Sequence, residues 1–350
     1  MFGQIVIGPP GSGKSTYCYG MHQFLSAIGR KPSIINLDPA NDSVPYPVDL
    51  DIRDYITVEE IMDELSLGPN GSLMYAMTNL SDHLIEEFIQ EVKELVKSGS
   101  YLVFDCPGQV ELFTHDNSMF RLFKKLTKAD DLRLCCVNLV DSVHLVSPSS
   151  YISVLLLSLR SMLQMNMPQI NVISKIDMIK SYGQLPFRLD YYTEVQDLKY
   201  LSPMLEKESN SPLGKRFVHL SETIGDIIED FNLVSFEVLS VENKKSMINL
   251  LAVIDKANGY SFGTNEISGD TIWSDAVRSS TSHMIDIDIH ERWIENKEKL
   301  DEQEQKESEE IMSSPENTEQ GVTQVATEDD QWEMELKNWE NQTGLNAIRR

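Results

Sequence analysis

A mostly parallel α/β sheet with helices on both faces is the fold this 350-residue sequence predicts, and three observations predict it. Short apolar runs recur through most of the chain, segments of helical periodicity lie between them, and a glycine-rich stretch joins the first run to the first helix. In such a fold, ligands bind at the C-terminal ends of the strands.

The runs fall at residues 4–7, 33–37, 101–104, 132–140, 170–173 and 234–239, which implies six buried strands. Between the second and third, Leu84, Phe88, Val92 and Leu95 are spaced by four, four and three and lie on one helix face. A helix over 57–65 is expected to stop at Gly68-Pro69-Asn70, a glycine stop followed by proline. The apolar stretch 152–167 is interrupted by Ser158, Arg160, Ser161, Gln164 and Asn166, so it reads as a core-packed helix and not a bilayer span. Residues 185–228, rich in Tyr and polar side chains, read as a helical insertion within a nucleotide domain over 1–260. Residues 261–350 read as an acidic, largely disordered tail with short helices, because eighteen acidic residues face four basic ones between His283 and Glu335. Within it Ile285, Ile287, Ile289, Trp293, Trp332, Leu336 and Trp339 are candidate partner anchors.

The glycine-rich stretch is Gly8-Pro9-Pro10-Gly11-Ser12-Gly13-Lys14-Ser15-Thr16, directly after Ile5, Val6 and Ile7. It fits G-x-x-x-x-G-K-[ST] between a strand and a helix, a loop whose backbone N–H groups close around phosphate oxygens. Lys14 then reaches the β and γ phosphates, Ser15 supplies a hydroxyl to Mg²⁺, and the helix aims its positive end at the anion.

Asp105-Cys106-Pro107-Gly108-Gln109 follows the third strand, where a carboxylate holds the Mg²⁺ shell and the Gly108 amide senses the γ phosphate. Gln109 and Glu111 stand where an attacking water would be oriented, and Asp38, after the second strand, shares that candidacy. Ser174-Lys175-Ile176-Asp177 follows the fifth strand and matches N-K-x-D except for Ser174; the acid of that pattern accepts from guanine N1 and N2 hydrogens. Ser240 and Val241, after the last strand, are candidate backbone contacts to the base.

A formal charge of −25 argues against direct nucleic-acid binding, which needs a basic surface. Cys18, Cys106, Cys135 and Cys136 lie in or beside apolar segments without metal-ligand spacing, as in a reducing compartment. The N-terminus reads as a strand, so no secretory leader is expected.

Taken together, GPPGSGKST, NLDPAND, GPN, DCPGQVEL and SKID, in that order, resemble the GPN-loop GTPases from Met1 to about Gly259. The resemblance implies GTP and GDP as ligands, Mg²⁺ as cofactor, and a homodimer or a heterodimer with a paralogue. It also implies that the Gly-Pro-Asn loop of one subunit enters the nucleotide site of the other, so that Asn70 acts in trans on phosphate or water. RNA polymerase subunits or assembly factors are the implied clients, through biogenesis of RNA polymerase II and in some members III, with cytoplasmic residence and shuttling to the nucleus. No membrane partner is expected. Two rivals stand beside the GTPase switch. One is a nucleotide-binding assembly scaffold that hydrolyses little. The other is a P-loop kinase, for which residues 183–215 supply only Arg188, Lys199, Lys207 and Lys215 as lid cations.

Overall fold

The computed structural model describes residues 1–41, 43–82, 84–130, 132–208, 212–260, 289–303 and 306. Seven strands form one wholly parallel sheet: β1 (Phe2–Ile7), β2 (Pro32–Asn36), β3 (Leu50–Asp51), β4 (Tyr101–Asp105), β5 (Arg133–Asp141), β6 (Gln169–Ser174) and β7 (Phe236–Val238). Their order is β3-β2-β4-β1-β5-β6-β7. The six expected runs all form strands. The additional strand, β3, pairs Leu50 and Asp51 with Ile35 and Asn36 and is too short to produce an apolar run. Register places Asn36 beside Asp105, Val6 beside Asp105, and Asp141 beside Ser174, so polar residues from four strands end on one edge.

The strands read as continuous apolar runs because both faces are covered. Ile5, Ile7, Ile35, Leu102 and Phe104 point to one core, which is closed by α3 (Pro69–Asp82), α4 (Ile85–Lys97) and α6 (Ser118–Asp130), with α2 (Val58–Leu65) at its margin. In α4, Phe88 and Val92 are buried with Leu84 and Leu95 packed beside them, as the spacing predicts. Alternate residues Val6, Ile34 and Val103 face a second core under α1 (Lys14–Ala27) and α12 (Lys244–Asn258). A buried chain of hydrogen bonds crosses this layer: Tyr17 donates to Gln4 Oε1 at 2.6 Å, and Gln4 Nε2 donates to the Tyr101 hydroxyl at 3.0 Å.

The third core lies around α7 (Pro148–Met165) and the insertion. A short α5 (Glu111–Thr114) precedes α6 and a short α8 (Ile179–Tyr182) follows β6, and the insertion itself runs α9 (Leu189–Glu194), α10 (Ser202–Glu208) and α11 (Pro212–Phe231). α7 buries Tyr151, Ile152, Leu155 and Leu159, and no described helix is long and apolar enough to cross a membrane.

Two expectations are corrected here. Helix α2 ends at Ser66, which takes a left-handed backbone (φ 53°), and Pro69 then opens α3 as its first residue. Gly68-Pro69-Asn70 is therefore a helix start: proline has no N–H to lose there, and Ser72 N donates to the Gly68 carbonyl at 2.9 Å. The second correction concerns Trp293. It sits in a π-helical turn, Glu291–Glu295, and is 2 % exposed within the third core. Beside it, His290 Nδ1 accepts from the Leu189 amide at 3.0 Å. This anchor is spent inside the chain, whereas Ile285, Ile287, Trp332, Leu336 and Trp339 lie outside the described residues, as does most of 261–350. The chain divides after Glu295 into two compact units.

Arg30, in the turn between α1 and β2, is joined to Asp255 of α12 by a two-pronged pair at 2.7 and 3.0 Å, with the guanidinium 4.5 Å from the centre of the Tyr260 ring. Their side chains are 11 % and 2 % exposed, so removing the acid takes a two-pronged carboxylate partner from a buried cation. Asp255→Ala is expected to lower unfolding free energy by about 3 kcal/mol. Urea titration checks this, and an unchanged midpoint would count against it.

Candidate functional site

The phosphate loop leaves the C-terminal end of central strand β1, between β4 and β5, and turns into α1. Its glycines are steric necessities. Gly8 has φ 148° and a Cβ there would lie 2.3 Å from the Leu139 carbonyl oxygen, while Gly11 and Gly13 have φ 77° and 91°. The first turn of α1 carries no acid, so its amides and dipole are left for an anion. Lys14, 9 % exposed, donates to the carbonyls of Gly8 at 3.1 Å and Pro9 at 3.2 Å. Burial pushes its ammonium pKa down, against the pull of Asp105 and Asp38. Gly108 lies so close that a Cβ would be 3.1 Å from Lys14 Nζ, which explains a glycine on that side of the loop. Thr16 is exposed, while Ser12 Oγ is buried and has no partner among the described residues.

Asp105 ends β4 and is 1 % exposed. Its Oδ2 accepts from Ser15 Oγ at 2.9 Å and from the Tyr46 hydroxyl at 2.6 Å, whereas Oδ1 is buried and has no partner among the described residues. Burial raises the carboxyl pKa, opposed by those two hydroxyls and by Lys14. A buried carboxylate with one oxygen unclaimed, next to the Ser15 hydroxyl, fits the water shell of Mg²⁺, a hard cation that keeps several waters. Sequence reasoning missed Tyr46. It lies in a loop without a motif, and only the folded chain brings it to Asp105. The loop is pinned elsewhere as well. Ile34 N donates to Asp49 Oδ2 at 3.0 Å, and Arg53 donates to the Asn41 carbonyl at 2.8 Å while gripping Asp51.

Asp38 is held by local bonds, its amide donating to Asn36 Oδ1 at 3.1 Å and its Oδ1 accepting from Ala40 N at 3.0 Å. Burial raises its pKa, against the Ala40 bond and Lys14. Gln109 and Glu111 are placed less tightly. Glu111 opens α5 and is exposed, and no hydrogen bond joins either side chain to Lys14, Ser15 or Asp105 among the described residues. Asn70 also stands apart, exposed on the second residue of α3 beside exposed Leu67 and Tyr75.

On the far side of the loop, Ser174 does what its position requires. Its Oγ lies 2.7 Å from the Ser12 carbonyl oxygen and 3.1 Å from that of Val140, tying β6 to the phosphate loop. Lys175 has a left-handed backbone (φ 54°) and its Nζ contacts the Gly11 carbonyl at 2.6 Å and Asp141 Oδ2 at 2.7 Å. Its stem passes 3.8 Å from where a Gly13 Cβ would be. Asp141 ends β5, and besides holding Lys175 it accepts from Val143 N at 3.0 Å. Asp177 follows in a short turn and is half-buried. Ser240 N is already bonded to Ser246 Oγ at 3.1 Å, and Val241 lies against α1, where a Cβ on Gly20 would be 2.3 Å from it.

A phosphate loop, a buried strand-end acid beside its serine and a cross-tied second loop on neighbouring strands define a P-loop nucleoside triphosphatase. Residues 6–260 match the family model described as a conserved hypothetical ATP binding protein. The chain is 58% identical over 349 residues to GPN-loop GTPase 2 of Saccharomyces cerevisiae, covering 99% of both chains. It is 50% identical over 300 residues to the protein of that name in Schizosaccharomyces pombe, covering 86% of this chain and 93% of that one. The chain belongs to the GPN-loop GTPase family. The likeness to the budding-yeast relative extends through the tail, beyond the segment that the motifs alone mark. A GTPase from Pyrococcus abyssi, crystallised in its apo form, shares the fold with TM-score 0.59 at 23% identity, covering 74% of this chain and 98% of that one.

Tyr46→Phe removes one hydrogen bond to a carboxylate and frees Asp105 to turn. The Mg²⁺ concentration that half-saturates binding of a fluorescent GDP analogue is expected to rise about tenfold, from about 1.5 kcal/mol of lost positioning. An unchanged or lower requirement would remove Tyr46 from this role.

Proposed function

We propose that this chain is a Mg²⁺-dependent GTPase that works as a dimeric switch in the assembly and nuclear delivery of RNA polymerase II, with RNA polymerase III a further client. The observation that carries the guanine reading is the cross-tie between Ser174, Lys175 and the phosphate loop at 2.7 and 2.6 Å. It fixes the turn bearing Asp177 relative to the phosphates, so that one nucleotide can span both. The family model's description names ATP and the relatives' names say GTPase. The Asp177 carboxylate favours guanine, because only that base offers paired N–H donors to it.

In the proposed reaction a water attacks the γ phosphate in line, and the bond to the β–γ bridging oxygen breaks to give GDP and inorganic phosphate. Lys14 and the loop amides hold the phosphates and stabilise charge that grows on the departing oxygens. Ser15 and Asp105 would hold Mg²⁺, which supplies electrostatic neutralisation of the phosphate oxygens. Gln109, Glu111 and Asp38 share the orientation of water. Loss of the γ phosphate releases the segments bearing Asp38 and Gly108, and a partner reads the change.

The dimer reading draws on family membership and on surface chemistry. Leu65, Leu67 and Tyr75 are 45%, 37% and 43% exposed around Gly68-Pro69-Asn70, an apolar fringe suited to a second subunit. Asn70 then acts across that interface. The polymerase role, cytoplasmic residence and nuclear shuttling rest on the family resemblance. A scaffold that hydrolyses little remains as a second reading, favoured by one observation: Glu111 is exposed, and among the described residues no hydrogen bond joins the Gln109 side chain to Lys14, Ser15 or Asp105.

Titrating GDP and non-hydrolysable GTP and ATP analogues against wild type and Asp177→Asn tests the base assignment. Guanine preference of wild type is expected to fall by at least about tenfold in the variant. ATP binding equal to GTP binding in both proteins would sink it. Phosphate release from GTP is expected to slow by about a hundredfold in Gln109→Ala. Full cellular function of that variant would move the scaffold reading ahead of the switch.

A further inference from the structure

We propose that a basic cavity at the N-terminal edge of the sheet docks an acidic peptide segment of a partner protein, one that carries an aliphatic or aromatic side chain between its carboxylates. The cavity has a volume of about 660 Å³ and is walled by α6, the start of β5, the turn from α7 into β6, and the end of α12. That volume falls within the range of about 300–1,000 Å³ typical of binding clefts. Four exposed cations line it: Lys124 and Lys128, one turn apart on α6, Arg133 at the start of β5, and Lys256 in the last turn of α12. Among the described residues no carboxylate belongs to its lining and none of the four cations forms an ion pair.

The charge distribution makes this cluster informative. The chain as a whole carries −25, so four cations around one concavity reverse the local sign. A field of that kind selects an anionic partner. The floor narrows the choice of anion. Leu134 and Met165 are buried there, with Met167 half-buried beside them. An inorganic anion leaves that floor uncovered, while an apolar side chain flanked by carboxylates covers floor and rim together. The unbranched thioethers of the two methionines adapt to more than one side-chain shape. Nucleic acid carries the anionic charge too, but an extended polyanion meets the −25 of the remaining surface.

Position keeps this site separate from the nucleotide. The cavity takes Arg133 and Pro168 from the starts of β5 and β6, while Asp141 and Ser174 end the same strands beside the phosphate loop. The nine residues of β5 set the two ends about 26 Å apart. Peptide and nucleotide can therefore occupy the chain together, and this proposal stands independently of which nucleotide is bound.

The test uses the full chain and a short fluorescein-labelled peptide, rich in Glu with a central Leu–Trp pair, read by fluorescence anisotropy. Saturable binding is expected, weakened at least about tenfold in Lys124→Glu/Lys128→Glu and again in Lys256→Glu. GDP affinity and melting temperature should stay at wild-type values. Replacing the Leu–Trp pair by Ser–Ser is expected to weaken binding about tenfold, which separates an amphipathic peptide from charge alone. If the double reversal unfolds the chain, Lys124→Gln/Lys128→Gln supplies the same reading. Four results would overturn the proposal. These are no binding by wild type, binding unchanged in the variants, displacement by inorganic phosphate as effective as by unlabelled peptide, or light scattering in which the variants only dissociate a self-assembly.

Discussion

Asp105 is the constraint on which the nucleotide site depends. A carboxylate 1 % exposed at the centre of a parallel sheet is stable only if its neighbours supply hydrogen bonds and charge. Ser15 and Tyr46 both donate to Oδ2, and Lys14 lies near enough to favour the ionised form. These requirements draw three segments together: the phosphate loop, the end of β4, and the loop that carries Tyr46 between β2 and β3. Moving any one leaves a buried acid short of partners. The geometry of the site is therefore enforced by a desolvation cost, and the unclaimed Oδ1 is where a hydrated cation repays part of it.

Much of this was legible in sequence because the chemistry is local. Gly8, Gly11 and Gly13 announce positive φ or close approach, and a short apolar run before them announces the strand. The six runs became strands because a sheet covered on both faces needs apolar residues at every position. What stayed illegible depends on long-range contact. Tyr46 reaches Asp105 across 59 positions, and Ser174 reaches Ser12 across 162. Strand β3 is two residues long and owes its existence to pairing with β2. The helix stop assigned to Gly68 failed for a different reason. Ser66 can itself take the left-handed cap, and Pro69, which ends one helix by pattern, equally begins the next.

Net charge misleads at this scale. The whole chain is strongly acidic, yet its phosphate site is an anion receptor and its opposite edge gathers four cations. Charge averaged over the sequence predicts repulsion from a polyanion, whereas binding of a small or amphipathic anion is decided within about 10 Å. The acidic segment misleads similarly. Trp293 lies among acids and reads as an exposed anchor, but burying one indole in the third core is favourable enough to hold its neighbours on the insertion, where His290 meets Leu189.

The distribution of hydrogen bonds across the site separates binding from chemistry. Lys14, Ser15, Asp105, Ser174 and Lys175 are all bonded to one another's elements, so the surfaces that would hold phosphate and base are fixed before any ligand arrives. Pre-organisation of this kind favours tight binding, because little ordering entropy remains to be lost. Among the described residues the side chains of Glu111, Gln109 and Asn70 have no such ties, and all three belong to the part that orients water in the proposed reaction. A site rigid towards nucleotide and loose towards water binds well and turns over slowly until something orders the loose half. In the proposed dimer the partner's Gly-Pro-Asn segment would do so, which makes assembly the step that licenses hydrolysis and gives a slow switch its direction.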